Sequence, residues 1–146
     1  MHVDITIYIA QKCARASRRD YAYALTCQMP KGMIGKVVDI GRCMDGIHMA
    51  TVRAITEALN RMRKSCSLHI RIEDVFVKNM IEKNLSSWAA AGFEDSRGKK
   101  KDEKWQELWH ALARHEYTIS NEVSDEYKEM LHNAIKEKYE IKWEDY

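Results

Sequence analysis

The sequence predicts an α/β domain on a mixed five-stranded sheet, and three observations predict it. Val3, Ile5, Ile7 and Ile9 alternate with Asp4, Thr6, Tyr8 and Ala10, the two-residue period of a strand. Val52, Ile55, Leu59 and Met62 recur as one apolar stripe on a helix over about residues 47–63. The next run, "CSLHIRI", sets Leu68, Ile70 and Ile72 on one face of a further strand. Strand, helix, strand in that order joins parallel strands through a crossover. A chain of 146 residues is long enough to bury a single core, so residues 1–146 are read as one domain.

The remaining elements follow in order. "DYAYALTC" alternates tyrosine with small residues as a second strand, "MPKG" supplies a proline–glycine turn, and "MIGKVVDIGR" returns as a third. Three strands joined by short turns make an antiparallel meander. After the crossover, Phe76, Val77, Met80 and Ile81 mark a short amphipathic helix. "NLSSWAAAGFEDSRGKKKDEKW" then reads as a helical piece, a glycine break and a charged loop. Trp105, Leu108, Trp109 and Leu112 define a helix face running to about His115, and "EYTI" is a fifth strand. Ser124 is placed to cap the last helix, with Asp125 and Glu126 in a first turn that favours negative charge. Tyr127, Met130, Leu131, Ala134 and Ile135 give its stripe. The aromatic tail, residues 139–146, packs or adds a strand, and no role is assigned to it.

Composition narrows the function classes. Hydrophobic residues at 45% and a single proline argue for a packed core rather than disorder. A formal charge of +2 makes no case for nucleic acid by itself, so any basic surface must be local. No apolar run approaches a membrane span, and "MHVDITIYIA" lacks the basic-then-apolar pattern of a signal segment. Cys13, Cys27, Cys43 and Cys66 form no CxxC pair and are read as reduced thiols of a cytoplasmic protein. No histidines stand at zinc-ligand spacing; His110 and His115, five apart, fall on different helix faces.

With these residues in this order, the chain resembles the ribonuclease H family over nearly its whole length. "ATVRAITEALNRM" with "CSLHIRIEDVFVKNMI" carries the likeness first. "NLSSWAAAGFEDSRGKKKDEKWQELWHALARHEYTI" then matches the family's tryptophan helix, glycine–aromatic step, basic loop and "LW" helix. The resemblance implies a ribonuclease H-like fold, and members of the family cleave the RNA strand of an RNA–DNA hybrid with two magnesium ions held by about four carboxylates. Such ions, about 4 Å apart, bridge the scissile phosphate, activate water and stabilise the leaving oxygen, which requires hard anionic ligands.

Carried over residue by residue, that ligand set is incomplete. The first acid, near the end of strand one, falls on Ala10; the second, on the first long helix, falls on Ala50 or Thr51. The third falls on Glu73, with Asp74 behind it, and the fourth on Asp125; the family's glycine- and histidine-bearing loop before the last helix is missing. Asp4 has the parity of Ala10 but lies roughly 20 Å away along the strand. Glu57 is about 10 Å along the helix from Ala50. Asp45 precedes the helix at a place the sequence does not fix. No residue is therefore assigned a catalytic role. Glu73 and Asp125 are candidate ligands for one weakly held Mg²⁺ or Mn²⁺, while in the plainer reading Asp74 caps the following helix and Glu73 is an exposed strand end.

The candidate nucleic-acid contacts are Trp88, Arg97, Lys99, Lys100, Lys101 and Lys104, with Trp105 beside them. Lysines against a duplex neutralise phosphates and release counterions, which gives affinity without sequence choice. Glu94, Asp95, Asp102 and Glu103 flank the run and dilute its field. Three functions are consistent with these residues. The first is an inactive ribonuclease H-like domain that binds an RNA–DNA hybrid or duplex. The second is a scaffold binding protein, a second copy included, through the tyrosine-rich strand or the aromatic tail. The third is a nuclease with a rearranged metal site.

Overall fold

The computed structural model describes residues 1–11 and 17–139. Cys13 and the tail positions Ile141 and Trp143 lie outside them. Strand β1 (His2–Ile9) pairs antiparallel with β2 (Arg19–Gln28), which pairs antiparallel with β3 (Ile34–Cys43). Helix α1 (Ile47–Asn60) then crosses over, and β4 (Ser67–Arg71) returns parallel to β1 on its other side. Helices α2 (Val75–Lys83), α3 (Leu85–Ala90) and α4 (Glu103–Leu112) precede β5 (Glu116–Ser120), parallel to β4, and α5 (Asp125–Tyr139) ends the described chain. The sheet order is β3-β2-β1-β4-β5, the mixed five-stranded architecture expected.

Alternation explains which face each helix covers. Val3, Ile5, Ile7 and Ile9 of β1, with Leu68 and Ile70 of β4, join Val52, Ile55 and Leu59 of α1 in the main core. Helix α4 adds Trp105, Leu108 and Leu112 to the same cluster. On the opposite face, Tyr8, Ala22 and Ala24 pack under Leu131 and Ile135 of α5. β2 is thus buried on both sides, which its mix of tyrosine and alanine already encodes: tyrosines fill the α1 side, and alanines let α5 approach.

This corrects the tyrosine-rich strand as a docking surface. Tyr21 and Tyr23 are each only 2% exposed. Tyr21 donates its hydroxyl to the Glu57 carboxylate at 2.5 Å; burial and that carboxylate push its ionisation far above the ordinary tyrosine range. Two helix ends also differ from expectation. α1 stops at Asn60, yet Met62 still packs on the core from the turn beyond it. α4 stops at Leu112, and His115 accepts the Cys66 backbone N–H at Nδ1, 3.0 Å.

Gly41 sits opposite Tyr21 in the β2–β3 ladder, and a Cβ there would lie 2.3 Å from the buried phenol ring. Gly35 is less constrained, because its added carbon would meet the flexible Met29 side chain at 3.1 Å and Cys27 Sγ at 3.2 Å. Gly41→Ala is therefore expected to cost about 1–3 kcal/mol, the usual range for over-packing a core, and Gly35→Ala distinctly less. Urea denaturation of both variants measures the difference.

Candidate functional site

The ends of β1 and β4, the start of α1 and the first turns of α5 carry the positions to which the resemblance assigns metal ligands. Ile7, Ile9, Ile47 and Ile72 line a cavity of about 250 Å³ there, with Thr51, Glu73 and Asp74 at its edge. Ala50 is fully buried against the core, and Thr51 donates its hydroxyl back to the Ile47 carbonyl at 2.9 Å. Ala10 packs at the α5 side of the sheet. Two of the four assigned positions thus offer only a methyl group or a committed hydroxyl.

The acids that remain are already engaged. Asp74 caps α2 by accepting the Val77 N–H at 3.0 Å, as expected, and its other oxygen lies 2.6 Å from His48 Nδ1. Glu73 is not a free strand end: its Oε2 lies 3.2 Å from the Lys128 ammonium. The same ammonium stands 3.9 Å from Asp125 Oδ1, on a residue that is otherwise fully exposed. The two candidate ligands therefore do converge, on a lysine one turn into α5. Ser124 meets its expectation by accepting the Tyr127 N–H at 3.2 Å, which fixes the start of that helix.

Asp45, unplaced by the sequence, belongs to a separate network. It receives Arg53 Nε at 3.1 Å and the Lys104 ammonium at 3.6 Å. Burial alone would raise its pKa, but the Arg53 hydrogen bond and the Lys104 charge outweigh this and hold it below the usual range. Nearby, Asp20 bonds Arg42 Nε at 2.6 Å and Gln11 Nε2 at 3.2 Å. Arg19, fully buried, donates to the Asp45 and Gln11 carbonyls. Among the described residues no three His, Cys, Asp or Glu side chains converge as a metal site. The donor set does not fit a pair of divalent ions.

A groove adjoins this region through His48. Its cavity, about 510 Å³, is lined by His48, Phe76, Met80, Trp88, Lys101 and Trp105 among others. Phe76, read from the sequence as one of the apolar residues of a short amphipathic helix, is 47% exposed and stacks on His48 with centroids 4.4 Å apart. Lys101 holds its ammonium 4.7 Å from the Trp88 ring centre, and Trp88 meets Trp105 edge-on at 5.3 Å. His48 and Phe76 were missed because nothing in the sequence places a helix start from residue 47 beside one from residue 75.

The charged loop has a defined turn. Gly92 and Phe93 both adopt left-handed backbone (φ 67° and 59°), and burial of the Phe93 ring pins the turn to the core. Asp95 accepts the N–H groups of Arg97 and Lys99, each at 2.9 Å, and these bonds lower its pKa. Arg97, Lys99 and Lys100 are exposed, whereas Lys104 is drawn back to Asp45 and Asp102. The six candidate contacts therefore divide. Trp88 and Lys101 border the groove, Arg97, Lys99 and Lys100 form the loop, and Lys104 belongs with Asp45.

Comparison with known proteins places this geometry. No family model matches the sequence. Ribonuclease HI of Pasteurella multocida (strain Pm70) is 27% identical over 103 residues, 62% of this chain and 67% of that protein. LC9-RNase H1, a type 1 RNase H with the type 2 active-site motif, superposes with a TM-score of 0.67 at 14% identity, over 92% of this chain and 72% of that one. RNase H1 of the archaeon Halobacterium salinarum gives 0.54 at 15% identity, over 92% and 94%. The foamy viral protease-reverse transcriptase in complex with dsDNA gives 0.63 at 9% identity, over 96% and 94%. The chain is thus similar in sequence to a ribonuclease HI, and it has the ribonuclease H-like fold.

Proposed function

We propose that this ribonuclease H-like domain does not cleave nucleic acid and binds duplexes, RNA–DNA hybrids among them, without reading their sequence. The observation that carries the reading is the Lys128 ammonium between Glu73 and Asp125, the two acids that remain at the assigned ligand positions. A divalent ion entering there would have to displace a tethered cation and would find methyl groups where its other ligands should be. Two closely spaced ions repel each other strongly and need several carboxylates to stay bound beside an anionic phosphate. One engaged glutamate and one exposed aspartate do not supply them.

Binding needs none of that machinery. The groove offers Phe76 and Trp88 as apolar faces with Lys101 beside them, and the loop extends this surface with Arg97, Lys99 and Lys100. Aromatic faces pack against sugars or unstacked bases, while ammonium groups neutralise phosphates. Cytoplasmic residence belongs to the same proposal; among the described residues no helix is long and apolar enough to cross a membrane.

Two outcomes follow. A labelled RNA–DNA hybrid incubated with the protein and Mg²⁺ or Mn²⁺ is expected to stay intact in a gel assay. Cleavage that disappears in Glu73→Ala would establish a rearranged metal site instead. Fluorescence anisotropy is expected to show hybrid binding that weakens about 40-fold between about 50 and about 200 mM salt, the loss for three neutralised phosphates. Replacing Lys99, Lys100 and Lys101 together by alanine is expected to remove most of that salt dependence.

A further inference from the structure

At the end of the sheet away from the carboxylates lies a second groove, of about 550 Å³. Val3, Leu25, Val37 and Met62 make its apolar floor. Gly35 keeps it deep, since a Cβ there would press on Met29 and Cys27. Its rim is cationic: Lys36, Arg61, Arg63 and Lys64 line it, and no acid does. Arg61 is paired with Asp39 at 2.6 Å, but among the described residues neither Arg63 nor Lys64 has an ion-pair partner.

The groove opens beside β3, an edge strand whose ten residues pair with β2 without a break in register. Edge strands are normally blunted by bulges, prolines or charge, because their free N–H and C=O groups invite another chain. β3 carries only Lys36 and Asp39 along Ile34–Ile40, and Ile34, Val37 and Val38 are 67%, 42% and 38% exposed. Met29 lines the groove, and Met33, just before the strand, is 64% exposed. Methionine adapts to varied side chains and is common at surfaces that bind more than one sequence.

We propose that β3 and this groove bind an extended segment of a partner protein, with apolar residues at alternate positions facing the groove and a cluster of acidic residues at one end. The segment would add as a strand to β3, set its apolar side chains over Val37 and into the groove, and place its acidic end by Arg63 and Lys64. Main-chain pairing then supplies affinity and the side-chain pocket supplies selectivity. The charge pattern chooses this occupant over two others. A second copy of the chain would bring the same cationic rim against itself. A nucleic acid would set phosphates over an apolar floor that cannot solvate them.

The test uses the full chain and two fluorescein-labelled peptides that alternate leucine with threonine, one ending in a run of glutamates and one ending in a run of lysines. The glutamate peptide is expected to bind, to perturb amide resonances of residues 34–40 in ¹⁵N spectra, and to weaken roughly tenfold or more in the Arg63→Glu/Lys64→Glu variant. Hybrid binding by the same variant is expected to be unchanged. Equal binding of the lysine peptide, perturbations confined to other strands, or no peptide binding overturns the proposal. A concentration-dependent doubling of mass that blocks the peptide assigns the edge to a second copy, and loss of hybrid binding in the double variant assigns it to nucleic acid; either result overturns it too.

Discussion

β1 is hydrogen-bonded along both edges, antiparallel to β2 and parallel to β4. A parallel neighbour cannot be reached by a tight turn, so the chain must cross over the sheet, and α1 is that crossover. Once α1 lies on one face, the isoleucines of β1 are sealed beneath it, and the other face is left to α5. The same pairing brings the ends of β1 and β4 together beside the start of α1. The region where carboxylates would meet is therefore set by sheet topology before any polar side chain is chosen, and it persists when the acids are absent. This is why the fold can be conspicuous while the chemistry is not.

What fills that region follows from electrostatics. An isolated buried charge is costly, so each acid near the sheet end has acquired a cation or hydrogen-bond donors. Asp20 has Arg42 and Gln11, Asp45 has Arg53 and Lys104, Asp74 has His48 and a backbone N–H, and Glu73 has Lys128. For Asp20 burial favours the neutral acid, but its donors outweigh that and keep the carboxyl below the ordinary range. The arginine and lysine partners are internal counterions. They hold the acids in place at neutral pH without any added metal, and each raises the cost of recruiting its carboxylate as a ligand.

Local periodicity made most elements legible, and long-range placement did not. The alternation of β1 and the stripe of α1 follow from a neighbour two or four residues away, which a sequence displays directly. The end of α1 was less legible because Met62 continues the stripe into the core from a turn. Tyr21 and Tyr23 were misread as a surface because alternation names two faces without saying that both are covered. The Asp74 and Ser124 caps were legible because each acts within three residues. The contact of Lys128 with Glu73 was not, since 55 positions separate them, and neither was the contact of His48 with Phe76, which needs two helix starts to meet.

The charged loop shows how geometry changes the weight of a charge run. By sequence, Glu94, Asp95, Asp102 and Glu103 offset all but one of the five basic residues. In the structure, Asp95 turns its carboxylate to the N–H groups of Arg97 and Lys99, and Asp102 turns to that of Lys104. Backbone dipoles absorb part of each negative charge at close range, where no phosphate competes for them. The side chains of Arg97, Lys99 and Lys100 have no such partner among the described residues and remain directed to solvent. Seen from a duplex one Debye length or less away, the two aspartates work as turn-formers and the cations as charges. A loop close to neutral in composition can then present a basic face, and its attachment through Phe93 and Trp88 places that face at the mouth of the aromatic groove.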